Sequence, residues 1–246
     1  MLSEQTCLVT GSSRGIGRGI AMELAEHGAS VAVNYRSSHD EAVEVVGEIE
    51  AAGGDAIAVQ ADVAHLDEVE EMRAEIHDAF GPVDVLVNNA GITIDRKMEN
   101  LTKEDWDRVI EVNLGGVFNC TKTFWNDVVD AREGRVINIS SVVGQQGNYG
   151  QANYATTKSG LFGFTRTIAL ELAETGSTAN CVAPGFVKTD MLEDVPERVQ
   201  EHIVERIPLS RFAEVEDITG IVRFVASPES SYMTGQVLAV NGGMDW

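Results

Sequence analysis

This sequence predicts a doubly wound α/β domain. It should hold a parallel seven-stranded sheet with helices on both faces, with residues 1–246 as one unit. Two observations carry that expectation. Seven short apolar runs alternate with longer stretches of helical periodicity, and such alternation implies strands joined by right-handed crossovers. Several of the runs are apolar at consecutive positions, as strands buried on both faces are. A third observation sits at the first crossover, where a glycine-rich turn stands between a strand and a helix.

The elements follow in order. CLVTG (7–11) leads into GIGRGIAMELAEHG, where Ile16, Ile20 and Leu24 keep helical spacing and Gly28 ends the helix. SVAVNY (30–35) precedes DEAVEVVGEIEAAGG, which has acids in its first turn and closing glycines. AIAVQADV (56–63) precedes LDEVEEMRAEIHDAFG, built the same way. VDVLVNNAG (83–91), RVINISS (135–141), STANCVAPG (177–185) and QVLAVNGG (236–243) complete the strands. Residues 153–173 form a helix that is apolar over much of its circumference, through Phe162, Phe164, Ile168, Leu170 and Leu172. The sheet could cover one side of it and a second subunit another. Segment 142–153 is expected as a flexible loop at the substrate mouth, and the amphipathic segment 191–211 as a lid.

Hydrophobic residues make up 43% of the 246, enough for a sizeable core. No apolar run approaches the roughly 20 residues that span a bilayer. MLSEQTCLVTG runs into its first apolar stretch without a basic leader or cleavage site, so no signal peptide is expected. Cys7, Cys120 and Cys181 lie far apart, and the histidines lack ligand spacing. No disulfide framework and no metal site are expected, and the cytoplasm is the expected compartment. Lys and Arg number 18 against 39 Asp and Glu, a formal net charge of −21. That charge argues against nucleic acid or an anionic membrane as partner. So acidic a surface repels itself unless salt screens it, which points to a salt-adapted organism.

TGSSRGIG (10–17) is read as a phosphate-binding turn. Gly11, Gly15 and Gly17 permit close backbone approach, with Ser13, Arg14 and Ile16 between them. The following helix N-terminus favours an anionic pyrophosphate. Gly11 to Gly15 also fits G-x-S-x-G, the hydrolase nucleophile elbow, with Ser13 as nucleophile. That alternative needs a downstream acid and histidine, and the late His202 sits in a charged helical segment. The second strand ends Asn34-Tyr35-Arg36-Ser37, without the acid that would receive an NAD ribose. Arg36, helped by Arg14, would instead hold a 2′-phosphate, so NADP(H) is the expected cofactor.

SSVVGQQGNYGQANYATTK (140–158) places Tyr154 and Lys158 one helical turn apart, after Ser141. With TGSSRGIG, Asp62-Val63, Asn88-Asn89-Ala90-Gly91, Asn113 in EVNLGG and PGFVKTD (184–190), these residues resemble the short-chain dehydrogenase/reductase family over essentially the whole chain. The resemblance implies that Asn113, Ser141, Tyr154 and Lys158 are catalytic. It places Asp62 and Val63 at the adenine, and Arg36 and Ser37 at the ribose phosphate. Asn89, Ala90 and Gly91 would line the cofactor, with Pro184, Gly185, Val187 and Thr189 beside the nicotinamide. Tyr154 and Lys158 would touch the cofactor too.

The chemistry is consistent with that reading. Hydride delivery to a ketone leaves negative charge on oxygen, and a nearby acid must protonate it. A phenol, with pKa about 10, is a weak acid. A lysine cation one turn away is expected to lower that value. Ser141 would orient the carbonyl oxygen. Asn113 would anchor a water that relays protons through Lys158.

Within the family the nearer likeness is to the 3-oxoacyl-thioester reductases, acting on 3-oxoacyl-CoA or 3-oxoacyl-ACP. It implies NADPH-dependent reduction of acetoacetyl-CoA to the (R)-3-hydroxyacyl ester, as in polyhydroxyalkanoate synthesis. The alternatives are the acyl-carrier-protein substrate, a neighbour reducing a sugar, steroid or quinone, and a non-catalytic nucleotide-binding regulator. Gln151 would touch substrate beside Ser141 and Tyr154, and Arg96, Lys97 and Lys188 would meet coenzyme A phosphates. The family also implies a homotetramer.

Overall fold

The structure, a computed structural model, describes residues 2–189 and 196–245. Seven parallel strands form one sheet in the order β3–β2–β1–β4–β5–β6–β7. They are β1 (Thr6–Val9), β2 (Ser30–Tyr35), β3 (Asp55–Gln60), β4 (Val85–Asn88), β5 (Arg135–Ile139), β6 (Thr178–Pro184) and β7 (Val237–Val240). Each expected run overlaps one strand, with β1 and β3 starting one residue earlier. Several expected runs extend too far at their C-terminal ends, as 83–91 does beyond Asn88. The reason is local. The amides of Asn89 and Ala90 turn away from the ladder and donate to the Thr10 hydroxyl, at 2.9 and 3.0 Å.

α1 (Gly15–Glu26), α2 (His39–Ala51) and α3 (Leu66–Phe80) follow the first three strands. α4 (Lys103–Ile110) is capped by Thr102, whose hydroxyl accepts from the Asp105 amide. It continues through one π-helical turn, Glu111–Gly115, into α5 (Gly116–Thr123) and then α6 (Trp125–Asp130). α7 (Val142–Gln146), α8 (Ala152–Leu172), α9 (Glu197–Glu205) and α10 (Val215–Ala226) complete the helices used below.

Side-chain alternation along the strands builds a core on each face of the sheet. Cys7, Val9, Val31, Val33, Val85 and Val87 meet Ile20, Leu24, Val45, Ile49, Ile218 and Val222 of α1, α2 and α10. Leu8, Ala32, Val59, Leu86 and Val136 meet Val69, Met72, Ile76, Phe124, Ile168 and Leu172 on the other face. Burial on both faces is why the strands read as unbroken apolar runs. The chain order reverses between β1 and β4, so their C-terminal ends open a crevice where ligands of such sheets bind.

One expectation needs correction. Segment 142–153 is not all loop: Val142–Gln146 forms α7, and Val142, Val143 and Gly144 are buried. Ser141 caps that helix by accepting from the Val143 amide at 3.1 Å. Gly144 packs so tightly on α8 that a Cβ there would lie 2.7 Å from the Lys158 carbonyl carbon. Of the expected lid, residues 191–195 lie outside the described residues. The rest includes α9, whose Ile203 and Val204 pack against Ile207 and Phe212.

No helix among the described residues is long and apolar enough to cross a membrane. Exposed ion pairs such as Arg18–Glu48 and Arg211–Asp217 contribute little individually, and the acidic excess remains. The melting temperature should therefore rise from low salt into molar potassium chloride, where the Debye length falls to about 3 Å. A salt-independent melt would contradict this.

Candidate active site

The crevice is built first from backbone. Gly11 and Gly15 have φ of 62° and 57°, values that disfavour side chains. A Cβ on Gly17 would lie 2.5 Å from both Asn89 Nδ2 and the Gly11 carbonyl oxygen. The Asn89 amide donates to the carbonyls of Thr10 and Gly11, at 2.9 and 3.1 Å. Asn34 accepts from the Gly11 amide at 3.0 Å and donates to Val59 and Ala61 carbonyls. The ends of β1, β2, β3 and β4 are thus tied around one turn at the N-terminus of α1. Ser13 and Ile16 lie in that turn. Thr189 closes its far side, with its Cγ2 3.7 Å from where a Gly15 Cβ would be. Pro184 ends β6, and Gly185 packs on Asn241 so closely that a Cβ would lie 2.8 Å from its Cα. Val187, buried, bridges to Ala213. A glycine turn at the N-terminus of a helix is the kind of site that suits a pyrophosphate.

Asp62 and Val63 follow β3. Asp62 accepts from the Ala64 amide and from Arg108, both at 3.0 Å, and Arg36 lies 4.0 Å away. Burial raises the Asp62 pKa, but Ala64, Arg108 and Arg36 outweigh it and hold the carboxyl below its ordinary value. Val63 packs under Gly116 of α5, and its carbonyl accepts from Asn119. Arg36 and Ser37 are exposed at the end of β2, and Arg14 is exposed at the N-cap position of α1. Cradle and cations together fit a dinucleotide with a further phosphate.

Ser141, Tyr154 and Lys158 come together where β5 ends and α8 begins. Lys158 is buried, donates to the Ile139 carbonyl at 2.8 Å and sits 5.6 Å from the centre of the Tyr154 ring. Its Nζ lies 3.4 Å from where a Gly91 Cβ would stand, so the lysine reaches the NNAG turn. Asn113 lies in the π turn, fully buried. Its Oδ1 accepts from the Ile92 amide at 2.8 Å, and its Nδ2 donates to the Ile92 carbonyl at 2.9 Å and to Thr157 at 3.2 Å. Its carboxamide holds the loop after β4 against α8.

The electrostatics differ from the expected balance. Burial raises the Tyr154 phenol above its ordinary value, the Ser141 hydrogen bond opposes this, and Asp95 reinforces it. Burial also pulls Lys158 down to about 8, with Cys181 opposing. The Lys158 ammonium lies against the Tyr154 ring and the Ile139 carbonyl and is itself desolvated.

Gln151 stands at the N-cap of α8 and is already engaged. Its Nε2 donates to both Asp95 carboxylate oxygens, at 3.0 and 3.1 Å, and to Thr93 at 3.3 Å. Among the described residues no histidine contact reaches Ser13; those recorded run to Glu23, Tyr35, Asp127 and Glu205. Among the described residues, no group of three or more His, Cys, Asp or Glu is placed to hold a metal. Arg108, Thr157 and Asn153 escaped the sequence reading. Asn153 donates to the Ile94 carbonyl and accepts from the Tyr154 amide. An asparagine in the first turn of a helix was the available signal.

Comparison with known proteins agrees with this geometry. A family model described as "Enoyl-(Acyl carrier protein) reductase" matches residues 11–245. A 3-oxoacyl-[acyl-carrier-protein] reductase of Staphylococcus epidermidis is 51% identical over 240 residues, covering 98% of both chains. One from Staphylococcus aureus is 50% identical over 244 residues, 99% of both. One from Synechocystis sp. is 50% identical over 244 residues, 99% of this chain and 98% of the relative.

Proposed function

Because this chain belongs to the short-chain dehydrogenase/reductase family, we propose that it reduces a 3-oxoacyl thioester on acyl-carrier protein to the (R)-3-hydroxyacyl ester, with NADPH and in the cytoplasm. One observation carries this reading. Ser141, Tyr154 and Lys158 converge beside the nucleotide cradle in a chain half identical, end to end, to relatives named for that reaction.

Bound in the cradle, NADPH supplies the hydride. The chain's own residues do the rest. Ser141 donates a hydrogen bond to the 3-oxo oxygen and orients it. Tyr154 gives that oxygen its phenolic proton as negative charge develops. Lys158 steadies the phenolate that remains, and holds the cofactor ribose. Asn113 fixes the wall against which α8 stands. Gln151 contacts the thioester arm from the rim.

The expectation of acetoacetyl-CoA as substrate gives way to the carrier-bound ester. The relatives half identical to this chain are named for that ester, and of the cations suggested for coenzyme A phosphates Lys188 is paired with Glu214. A homotetramer would cover apolar residues left exposed on helices, Phe118 of α5 and Leu170 of α8.

NADPH oxidation should be measured with 3-oxoacyl-carrier, acetoacetyl-CoA and a 2-enoyl-carrier thioester, and the product analysed on a chiral column. The highest kcat/KM is expected for the 3-oxoacyl-carrier ester, with (R) product. Preference for the enoyl ester, or an (S) product, would overturn the reading.

A further inference from the structure

Both backbone polar atoms of Tyr154 are held by buried side chains. Its amide donates to Asn153 Oδ1 at 2.8 Å, and its carbonyl accepts from the Thr157 hydroxyl at 2.8 Å. Both side chains then reach the loop after β4. Asn153 Nδ2 donates to the Ile94 carbonyl at 3.0 Å. Thr157 Oγ1 accepts from Asn113 Nδ2 at 3.2 Å, and Asn113 holds the Ile92 amide and carbonyl at 2.8 and 2.9 Å. Asn113, Asn153 and Thr157 are all fully buried.

We infer that Asn153 and Thr157 are positioning residues for the proton donor. Together they hang the backbone of Tyr154 from the loop that follows the NNAG turn, and so fix the phenol relative to the wall of the cofactor crevice. The inference rests on the proposed role of Tyr154 as acid.

The arrangement does more than end a helix. The amides of a first helical turn have no partner within the helix. Gln151, at the N-cap of α8, gives them no side-chain bond, because its carboxamide goes to Asp95. Asn153 Oδ1 takes the Tyr154 amide from inside the turn, and for capping that bond would suffice. The Asn153 Nδ2 bond and the relay from Thr157 through Asn113 add ties to Ile94 and Ile92, just past Asn89, Ala90 and Gly91. Proton donor and hydride donor must meet one carbonyl group together. A misplacement of about 1 Å can cost on the order of 10²-fold in rate, so these ties bear on turnover.

The test is the kinetics of Asn153→Ala and Thr157→Val in the full-length protein, in water and in deuterium oxide, with a fluorescence titration of NADPH. Each substitution should lower kcat by roughly 10–100-fold. Each should also enlarge the solvent isotope effect, because a misplaced phenol makes proton delivery the slow step. NADPH affinity should stay close to that of the unmodified protein. Thr157→Ser keeps the hydroxyl and should recover most of what Thr157→Val loses. A merely structural role would lower melting temperature and NADPH affinity together with kcat and leave the isotope effect unchanged. That pattern, or a kcat close to the original in either variant, would overturn the inference. If Asn153→Ala does not fold, the nearly isosteric Thr157→Val decides alone. Tyr154→Phe separates the two levels. An active Tyr154→Phe removes the acid itself. An inactive one beside undiminished Asn153→Ala and Thr157→Val removes only the two positioning roles.

Discussion

Tyr154→Phe should lower kcat for thioester reduction by about 10²–10⁴-fold, the range that a positioned acid supplies, and leave NADPH affinity close to that of the unmodified protein. The substitution deletes one hydroxyl and nothing that holds the helix. The Tyr154 amide still donates to Asn153 Oδ1, the carbonyl still accepts from Thr157, and the ring still lies under Lys158. Lys158→Ala differs in kind. It empties a buried volume, releases the Ile139 carbonyl and removes the cation at the Gly91 turn, so both turnover and cofactor binding should fall. Steady-state rates and a fluorescence titration of NADPH separate the two variants. A Tyr154→Phe protein that turns over near the original rate would eliminate the phenol as the acid.

What could be read beforehand depended on sequence distance. Tyr154 and Lys158 are one turn apart and the glycines of 11–17 are contiguous, so their joint role was visible in the chain. The strands were visible because the sheet is buried on both faces, and their ends were not. The polar residues after Val9, Asn88 and Ile139 look like strand and become the crevice. Pairs made only by folding were hidden. Arg108 reaches Asp62 across 46 positions, and Gln151 reaches Asp95 across 56. Nothing in either stretch marks its partner. The π turn was hidden as well. Glu111–Gly115 has the composition of ordinary helix, and one residue of extra helical ring leaves no compositional trace. The sign of the Tyr154 shift turns on depth of burial, which spacing does not carry.

NADPH should be preferred over NADH in kcat/KM, and Arg36→Ala should remove roughly 10–100-fold from the NADPH value with little effect on NADH, the range for one lost charge-assisted hydrogen bond of about 1.5–3 kcal/mol. The geometry makes this a clean test. Arg36 is 55% exposed and only 4.0 Å from Asp62, whereas Arg108 holds the same carboxylate at 3.0 Å. Removing Arg36 therefore leaves Asp62 paired and the wall of the site standing. Arg14, exposed at the start of α1, should behave likewise. The double variant should lose less than the sum of the two, because both guanidiniums would serve one phosphate and are coupled through it. The rates must be compared at one ionic strength, since molar salt screens these exposed charges together with the acidic surface. Equal use of the two cofactors by the unmodified protein would refute the assignment. So would an Arg36→Ala variant that loses NADH and NADPH activity in equal measure, since the arginine would then be serving the site's structure and not the 2′-phosphate.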